Sequence, residues 1–269
     1  MAVIRMDYFS ICLMRQVTLT AIIPSDKVRL DSTEYPPEKK YKTLYMLHGV
    51  TGNSSTLLYH TEIVEYAMKH EVAVILPEGD NHYYVDCKKT GERFGEFVGK
   101  EVVELTRSMF PLSTLREDTY IGGVSMGGYG CLVNGLKYWA NFGGIISMGT
   151  GVRYKHLTKD DLHEDATIMT DRPGFFEIIH GDLENVMHSD MSIEYLAKQG
   201  KENGLIFPRI YMCCGTEDFR IHENRILAEL LRFSGADITM EEGPGGHTNE
   251  VWNFFMPRAF QWLSQDNSI

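Results

Sequence analysis

Residues 121–130 read IGGVSMGGYG, one serine set among glycines directly after an apolar run. Within this stretch Gly123-Val124-Ser125-Met126-Gly127 fits G-x-S-x-G, a pattern that can build a sharp strand-to-helix turn and hold a serine hydroxyl where a substrate reaches it. Glycine and serine also crowd ordinary turns, so the pattern alone decides little. Its weight depends on whether the rest of the chain supplies a strand before it, a helix after it and partners for the serine.

The strand and the helix are both legible. DTYIGGV (118–124) reads as a buried strand, and residues after Ser125 continue helically through LVNGLKYW (132–139). The same alternation runs outward in both directions. TLYMLHG (43–49), EVAVILPEG (71–79), FGGIISMG (142–149), IFPRIYMCCG (206–215) and ADITMEE (236–242) are further strands. Helices are expected from about residue 55 to 70, from 95 to 110 with Phe97, Val102, Val103, Leu105 and Met109 on the core face, from 221 to 233, and through VWNFFMPRAFQWL (251–263). Continuously apolar strands alternating with helices predict an α/β fold, a mainly parallel central sheet covered on both faces. At the N-terminus Val17, Leu19 and Ala21 alternate with Thr18 and Thr20, as on a half-buried strand. DSTEYPPEKKY (31–41) reads as a polar, proline-broken loop.

Residues 151–205 break the rhythm. They carry charges, prolines and short helical pieces but no clear buried strand. The expectation is a single domain over 1–269, with 151–205 as a helical insertion over the strand ends, either a lid or a cover.

Composition narrows the function classes. Hydrophobic residues make up 43% and charged residues 23% of the 269, as in an ordinary globular chain. The 26 basic and 37 acidic side chains give a net charge of −11, which disfavours nucleic acid and anionic lipid as partners. No run of about 18 apolar residues suggests a membrane span, and the opening residues do not read as a signal peptide. The five cysteines, Cys12, Cys87, Cys131, Cys213 and Cys214, form no disulfide or CxxC framework. Reduced thiols in a cytoplasmic protein are the expectation.

A nucleophilic serine needs a base, and the base needs an orienting acid. Asp218 lies in CCGTEDF (213–219), just past a parallel strand, with Glu217 beside it as an alternative. His247 lies in the glycine-rich EEGPGGHTNE (241–250), after the last strand and before the last helix. It alone among ten histidines combines late position, a flexible loop and the Ser-Asp-His order. The oxyanion needs two backbone N–H donors. Met126, after the serine, and Val50, in LHGVTGN (47–53), occupy the expected places, whereas His48 reads as structural. Asp182, His188 and Asp190 match no metal-ligand spacing and read as a solvated surface.

Together LHGVTGN, GGVSMGGYG, CGTEDF and GGHTNEVW resemble the esterase D and tributyrin-esterase branch of the α/β-hydrolase superfamily. The resemblance runs from the first strand to the final helix. MAVIRMDYFS (1–10) and PEGDNHYYVDCKKTGERFGEFVGKEV (77–102) resemble the small tributyrin esterases most. It implies an α/β-hydrolase fold and a serine carboxylesterase acting on short-chain acyl esters through an acyl-enzyme. Neither a metal nor an organic cofactor is implied. It also implies that Gly49, Tyr83, Tyr84 and Trp252 lie on the substrate side, and it allows a homo-oligomer. The chain departs from the family at Asn249, where a tryptophan is frequent, and at His48–Gly52, where the S-formylglutathione hydrolases carry another sequence. The second departure disfavours formylglutathione. Acetyl-xylan or feruloyl esters of plant polysaccharide are the alternative substrates. A non-catalytic binding protein on the same fold is the remaining reading.

Overall fold

The computed structural model describes residues 2–26, 39–150 and 174–265. Eight strands form its sheet: β1 (Ala2–Ser10), β2 (Arg15–Ile23), β3 (Lys42–Leu47), β4 (Val72–Pro77), β5 (Thr119–Val124), β6 (Gly144–Met148), β7 (Arg209–Gly215) and β8 (Ile238–Gly243). Their order is β1-β2-β4-β3-β5-β6-β7-β8. β1 and β2 form an antiparallel hairpin, β2 runs antiparallel to β4, and every pairing from β4 to β8 is parallel. This is the mainly parallel α/β sheet that the apolar runs predict.

Burial explains why those runs lack a two-residue alternation. Along β4, Val72, Val74 and Leu76 pack into one core, and Ala73 and Ile75 pack into the other. β3 divides in the same way, with Leu44 and Met46 against Tyr45 and Leu47. One face is covered by α2 (Ile63–His70) and α10 (Asn249–Ser264), which bring Ala67, Phe255 and Phe260. The other is covered by α4 (Val102–Met109), α5 (Met126–Lys137) and α9 (Ile221–Phe233), which bring Val103, Leu132 and Leu227. Both faces are therefore dry, and both positions of each repeat must be apolar.

Three local readings differ from expectation. The 55–70 helix is two helices, α1 (Thr56–His60) and α2, because Thr61 turns extended and its hydroxyl bonds the Leu57 carbonyl (2.5 Å). In β2 Thr20 and Ile22 are buried as fully as Leu19 and Ala21, because both faces of the strand are covered, Ile22 packing into one core and Leu19 and Ala21 into the other. Met109 is 53% exposed, and Thr106 takes the core position one turn earlier, bonding Tyr45 Oη at 2.8 Å. Of the 151–205 insertion, 151–173 lies outside the described residues. The rest is helical: α6 (Phe175–His180), α7 (Leu183–Val186) and α8 (Ile193–Glu202). It bonds to α5 through Tyr129 Oη, which donates to the Met191 carbonyl (2.5 Å).

The sheet order also positions a site. From β3 the chain crosses to β4 on one side, then returns past β3 to β5 on the other. Loops leaving β3 and β5 therefore diverge above adjacent strands, where open α/β sheets bind ligands. The pair Leu47↔Gly123 fixes the register there. The N-terminus of α5 sits so close to β3 that a Cβ on Gly127 would lie 2.3 Å from the Leu47 carbonyl oxygen. Backbone cannot yield as a side chain can. Gly127→Ala is therefore expected to destabilise by about 1–3 kcal/mol. In a chain of this size that lowers the thermal midpoint by roughly 2–5 °C. An unchanged midpoint in calorimetry would show that helix and strand are free to separate.

Candidate active site

Ser125 occupies the turn between β5 and α5 with φ 55° and ψ −115°. A non-glycine residue held there costs on the order of 1–3 kcal/mol, and such strain persists only where neighbours enforce it. The neighbours here are backbone. A Cβ on Gly123 would lie 2.2 Å from the Gly127 oxygen, so both flanking glycines must lack a side chain. Ser125 N–H donates to Met148 O (2.9 Å), and Ser125 O accepts from Tyr129 N–H (3.1 Å), locking the turn to β6 on one side and to α5 on the other. A Cβ on Gly49 would lie 3.4 Å from Ser125 Cβ, so the loop after β3 borders the serine directly.

That loop is held from below. His48 is buried, and its Nε2 accepts from Gly79 N–H (3.0 Å). The proton of the neutral ring therefore belongs on Nδ1, which donates to Gly49 O (2.7 Å). Tyr84 Oη donates to the His48 carbonyl (2.9 Å), and Thr51 N–H donates to Asn81 Oδ1 (2.7 Å). Thr51 lies at φ 62°, which turns the chain tightly after Val50. Among the described residues no acceptor takes the N–H of Val50 or of Met126. At Met126 this follows from its place in the first turn of α5, where helix N–H groups have no intrahelical partner.

Asp218 and His247 leave the ends of β7 and β8, which pair through Gly215↔Gly243. His247 Nδ1 and Asp218 Oδ2 are 2.7 Å apart. The Asp218 side chain is fully buried, and that of His247 is 21% exposed. Burial alone would raise the carboxyl's pKa. The bond to His247, Arg220 N–H donating to Oδ1 (2.8 Å) and the imidazole's charge outweigh it, and Asp218 lies below the usual carboxylate value. Asp218 is thus an acceptor that keeps the proton on His247 Nδ1 and leaves Nε2 free to act as a base. Two rings flank the imidazole at 5.1 Å, Trp252 edge-on and Phe219 tilted. Ser125 ties into the same cluster through Met148. The next residue, Gly149, lies where a Cβ would be 2.4 Å from the Trp252 ring and 3.3 Å from Asp218 Oδ2.

Glu217, the alternative acid, does something else. Its carboxylate accepts the N–H of Gly245, and its own N–H donates to Gly245 O (3.1 Å). It clamps the glycine-rich loop two residues before His247. Gly215 permits this, since a Cβ there would fall 2.0 Å from Gly245 O. The adjacency of two acids in the sequence raised the choice between them but could not divide their roles.

The aromatic residues expected on the substrate side are mostly inside. Tyr84 is fully buried and Trp252 is 4% exposed. Tyr83, at φ 53° and 6% exposed, packs among Tyr129, Phe175, Phe176 and His180. Tyr84 thus supports the loop beneath Val50, Trp252 packs against His247, and Tyr83 packs against α5 and the insertion. The exposed ring beside His247 is Phe219, to which nothing in its sequence surroundings points. Of the residues weighed as metal ligands, Asp182 caps α7 by accepting from Glu184 N–H (3.1 Å), and Asp190 pairs with Lys137 (2.7 Å).

Comparison with known proteins places the chain among esterases. The family model described as "Putative esterase" matches residues 27–263. An acetyl esterase of Caldicellulosiruptor saccharolyticus is 40% identical over 268 residues, covering 98% of this chain and 99% of the relative. Among solved structures, the substrate-bound fluorophosphonate-binding serine hydrolase F of Staphylococcus aureus superposes with a TM-score of 0.84 at 27% identity, covering 98% and 99% of the two chains. The S-formylglutathione hydrolase FrmB of Staphylococcus aureus superposes at 0.83 and 28%, with the same coverage.

The clamp and the bond it serves have a direct spectroscopic signature. A buried imidazole N–H donating to a carboxylate should give a strongly downfield proton resonance, since charge-assisted hydrogen bonds are short and strong. Asp218→Asn and His247→Ala are expected to remove it. Glu217→Ala should leave it in place but broaden it, because the loop then exchanges between positions. Complete loss in Glu217→Ala would instead make Glu217 part of the bonded pair.

Proposed function

The chain belongs to the Esterase family and is a serine ester hydrolase acting on small-molecule esters; we propose that Ser125, His247 and Asp218 are its catalytic triad and that short acyl groups, acetyl foremost, are its substrates. The observation that carries the triad is the 2.7 Å contact between His247 and the buried Asp218, in the chain order Ser-Asp-His and linked to the strained Ser125 turn through Met148 and Gly149. The acyl preference is supported by the 40% identical acetyl esterase.

In the proposed reaction Ser125 Oγ attacks the ester carbonyl as His247 Nε2 takes its proton. Asp218 holds the imidazole in the useful tautomer and stabilises its charged form. The N–H groups of Val50 and Met126 receive the developing oxyanion, and losing one such donor costs about a hundredfold or more in rate. His247 then protonates the departing alcohol. Water, deprotonated by the same base, attacks the acyl-enzyme and releases the acid. Ser, His and Asp with backbone donors suffice for these steps, and no cofactor enters them. The net charge of −11 supports a neutral or cationic small ester over a nucleic-acid partner. No described helix is long and apolar enough to cross a membrane. Five buried free thiols support a cytoplasmic location. A second reading, acetyl or feruloyl esters of plant polysaccharide, draws on the 55% exposed Phe219 ring beside His247, a surface on which a sugar or aryl ring could stack.

Hydrolysis of p-nitrophenyl esters from acetate to decanoate, with a feruloyl ester alongside, tests both readings. Activity confined to the short esters, and reduced on the order of a thousandfold or more in Ser125→Ala, is expected. Equal activity in the two proteins would remove Ser125 as nucleophile, and a feruloyl preference would favour the second reading.

Acidification separates the roles of base and acid. Asp218's folded pKa lies below its unfolded one, so the stability it contributes is present above the unfolded value and is lost only as pH falls through the lower, folded value. The carboxylate therefore stays ionised in mild acid, so a loss of rate there does not come from Asp218. kcat/KM should fall along a single protonation step while the fold persists. A rate flat from about pH 8 down to about pH 4 would remove His247 as base.

A further inference from the structure

The hairpin at the sheet's first edge has an unusual surface. Thirteen large hydrophobic side chains are exposed among the described residues, and five of them, Val3, Ile4, Phe9, Ile11 and Met14, fall within residues 3–14. Three of the five lie on β1. This strand is an edge, paired with β2 on one side and with no described strand on the other. An exposed apolar edge strand nine residues long is a template for pairing with another chain.

The occupant follows from the order of residues. The sequence of β1 is AVIRMDYFS, with Met6 at its centre. If a second β1 lies antiparallel with Met6 opposite Met6 of the second copy, Arg5 falls opposite Asp7 of that copy, and Asp7 opposite its Arg5. Val3 then faces Phe9 and Ile4 faces Tyr8, again in both senses. Arg5, Asp7, Val3 and Phe9 share one face of the strand and are all exposed. Asp7 is held on that face by Thr18 Oγ1, which donates to Oδ1 (2.5 Å). The register is selective. Moving the centre to residue 5 sets Arg5 against Arg5 of the second copy, and moving it to residue 7 sets Asp7 against Asp7. Like charges directly opposite one another destabilise a strand pair.

The opposite edge lacks these features. On β8 Glu242 is bound by Arg225 through two bonds (2.7 and 2.6 Å), and Glu241 lies 3.5 Å from Arg258. Charged side chains locked along an edge discourage pairing. A contact between β1 and β8 would also be head-to-tail and could not close at two copies, whereas β1 on β1 does.

We infer that β1 is a self-pairing edge, joining two copies of this chain about a two-fold axis at Met6 and extending one sheet through both. The test is the oligomeric state in solution with charge exchange on the strand. Wild type is expected to be dimeric at micromolar concentration by light scattering coupled to gel filtration. Arg5→Asp alone or Asp7→Arg alone sets like charges across the axis and should raise the dissociation constant about tenfold or more. The double exchange Arg5→Asp with Asp7→Arg should restore dimerisation. Circular dichroism of each variant checks that the hairpin has folded. Met6→Cys supplies a second readout. Opposed residues in an antiparallel pair have Cα atoms about 4.5–5.5 Å apart, within disulfide reach. Mild oxidation should therefore link two copies, while wild type, whose five cysteines are buried, should not link. A monomeric wild type, or an oligomer that survives either single exchange and leaves Met6→Cys unlinked, overturns the inference.

Discussion

The contact between the Ser125 turn and the end of β3 is the constraint on which the rest of the molecule depends. Gly127 lies so close to Leu47 that no side chain fits between them, and Gly123 lies equally close to Gly127. Because helix and strand cannot separate, Ser125 has no room to relax to a negative φ, and its strain is maintained by packing that already stabilises the sheet. The same closeness brings the loop after β3 against the serine. The proposed nucleophile and the loop proposed to hold the oxyanion are therefore set by one packing decision, made where adjacent strands send their chains in opposite directions.

The supporting residues form a layer beneath the reacting ones. His48, bonded to Gly79 N–H and to the Gly49 carbonyl, fixes the peptide that precedes Val50. Tyr84 holds the His48 carbonyl, and its ring lies where a Cβ on Gly79 or Gly130 would overlap it. Glu217 holds Gly245, and Trp252 stands against the imidazole. Each group spends its polar atom on backbone or presses a ring against a functional side chain, which is how a site gains geometry that its own residues cannot supply.

That division explains what could be read in the sequence. The strands were legible because burial on both faces demands continuous apolar runs. Ser125, Asp218 and His247 stood out because they follow three such runs in a fixed order within glycine-rich turns. The family resemblance puts Tyr83, Tyr84 and Trp252 on the substrate side, but nothing in their spacing distinguishes a ring that faces a substrate from one that props up the loop. Only the packing does, and it puts Tyr84 and Trp252 inside. Glu217 was harder still. Its role is a bond to a backbone group 28 positions away, and backbone groups carry no sequence signal. The hairpin was half seen for a similar reason. β2 alternates only until its second half becomes an inner strand, and β1, with mixed polar and apolar residues on both faces, has no periodicity to announce it.

The two adjacent acids show how finely the environment assigns roles. Asp218 and Glu217 differ by one methylene and by one position past β7. Asp218 turns into the protein, where burial makes every hydrogen bond count and an unpaired charge would be costly. It meets an imidazole and a backbone N–H, both able to stabilise an anion. Glu217 turns outward, where its longer side chain reaches across to the neighbouring loop. Exchanging the two residues would place the longer carboxylate in the buried position, driving His247 outward, and would leave the shorter one unable to reach Gly245. The order Glu-Asp is thus a steric requirement of the site as much as a chemical one, and it follows from the single peptide step that separates an inward from an outward side chain at a strand's end.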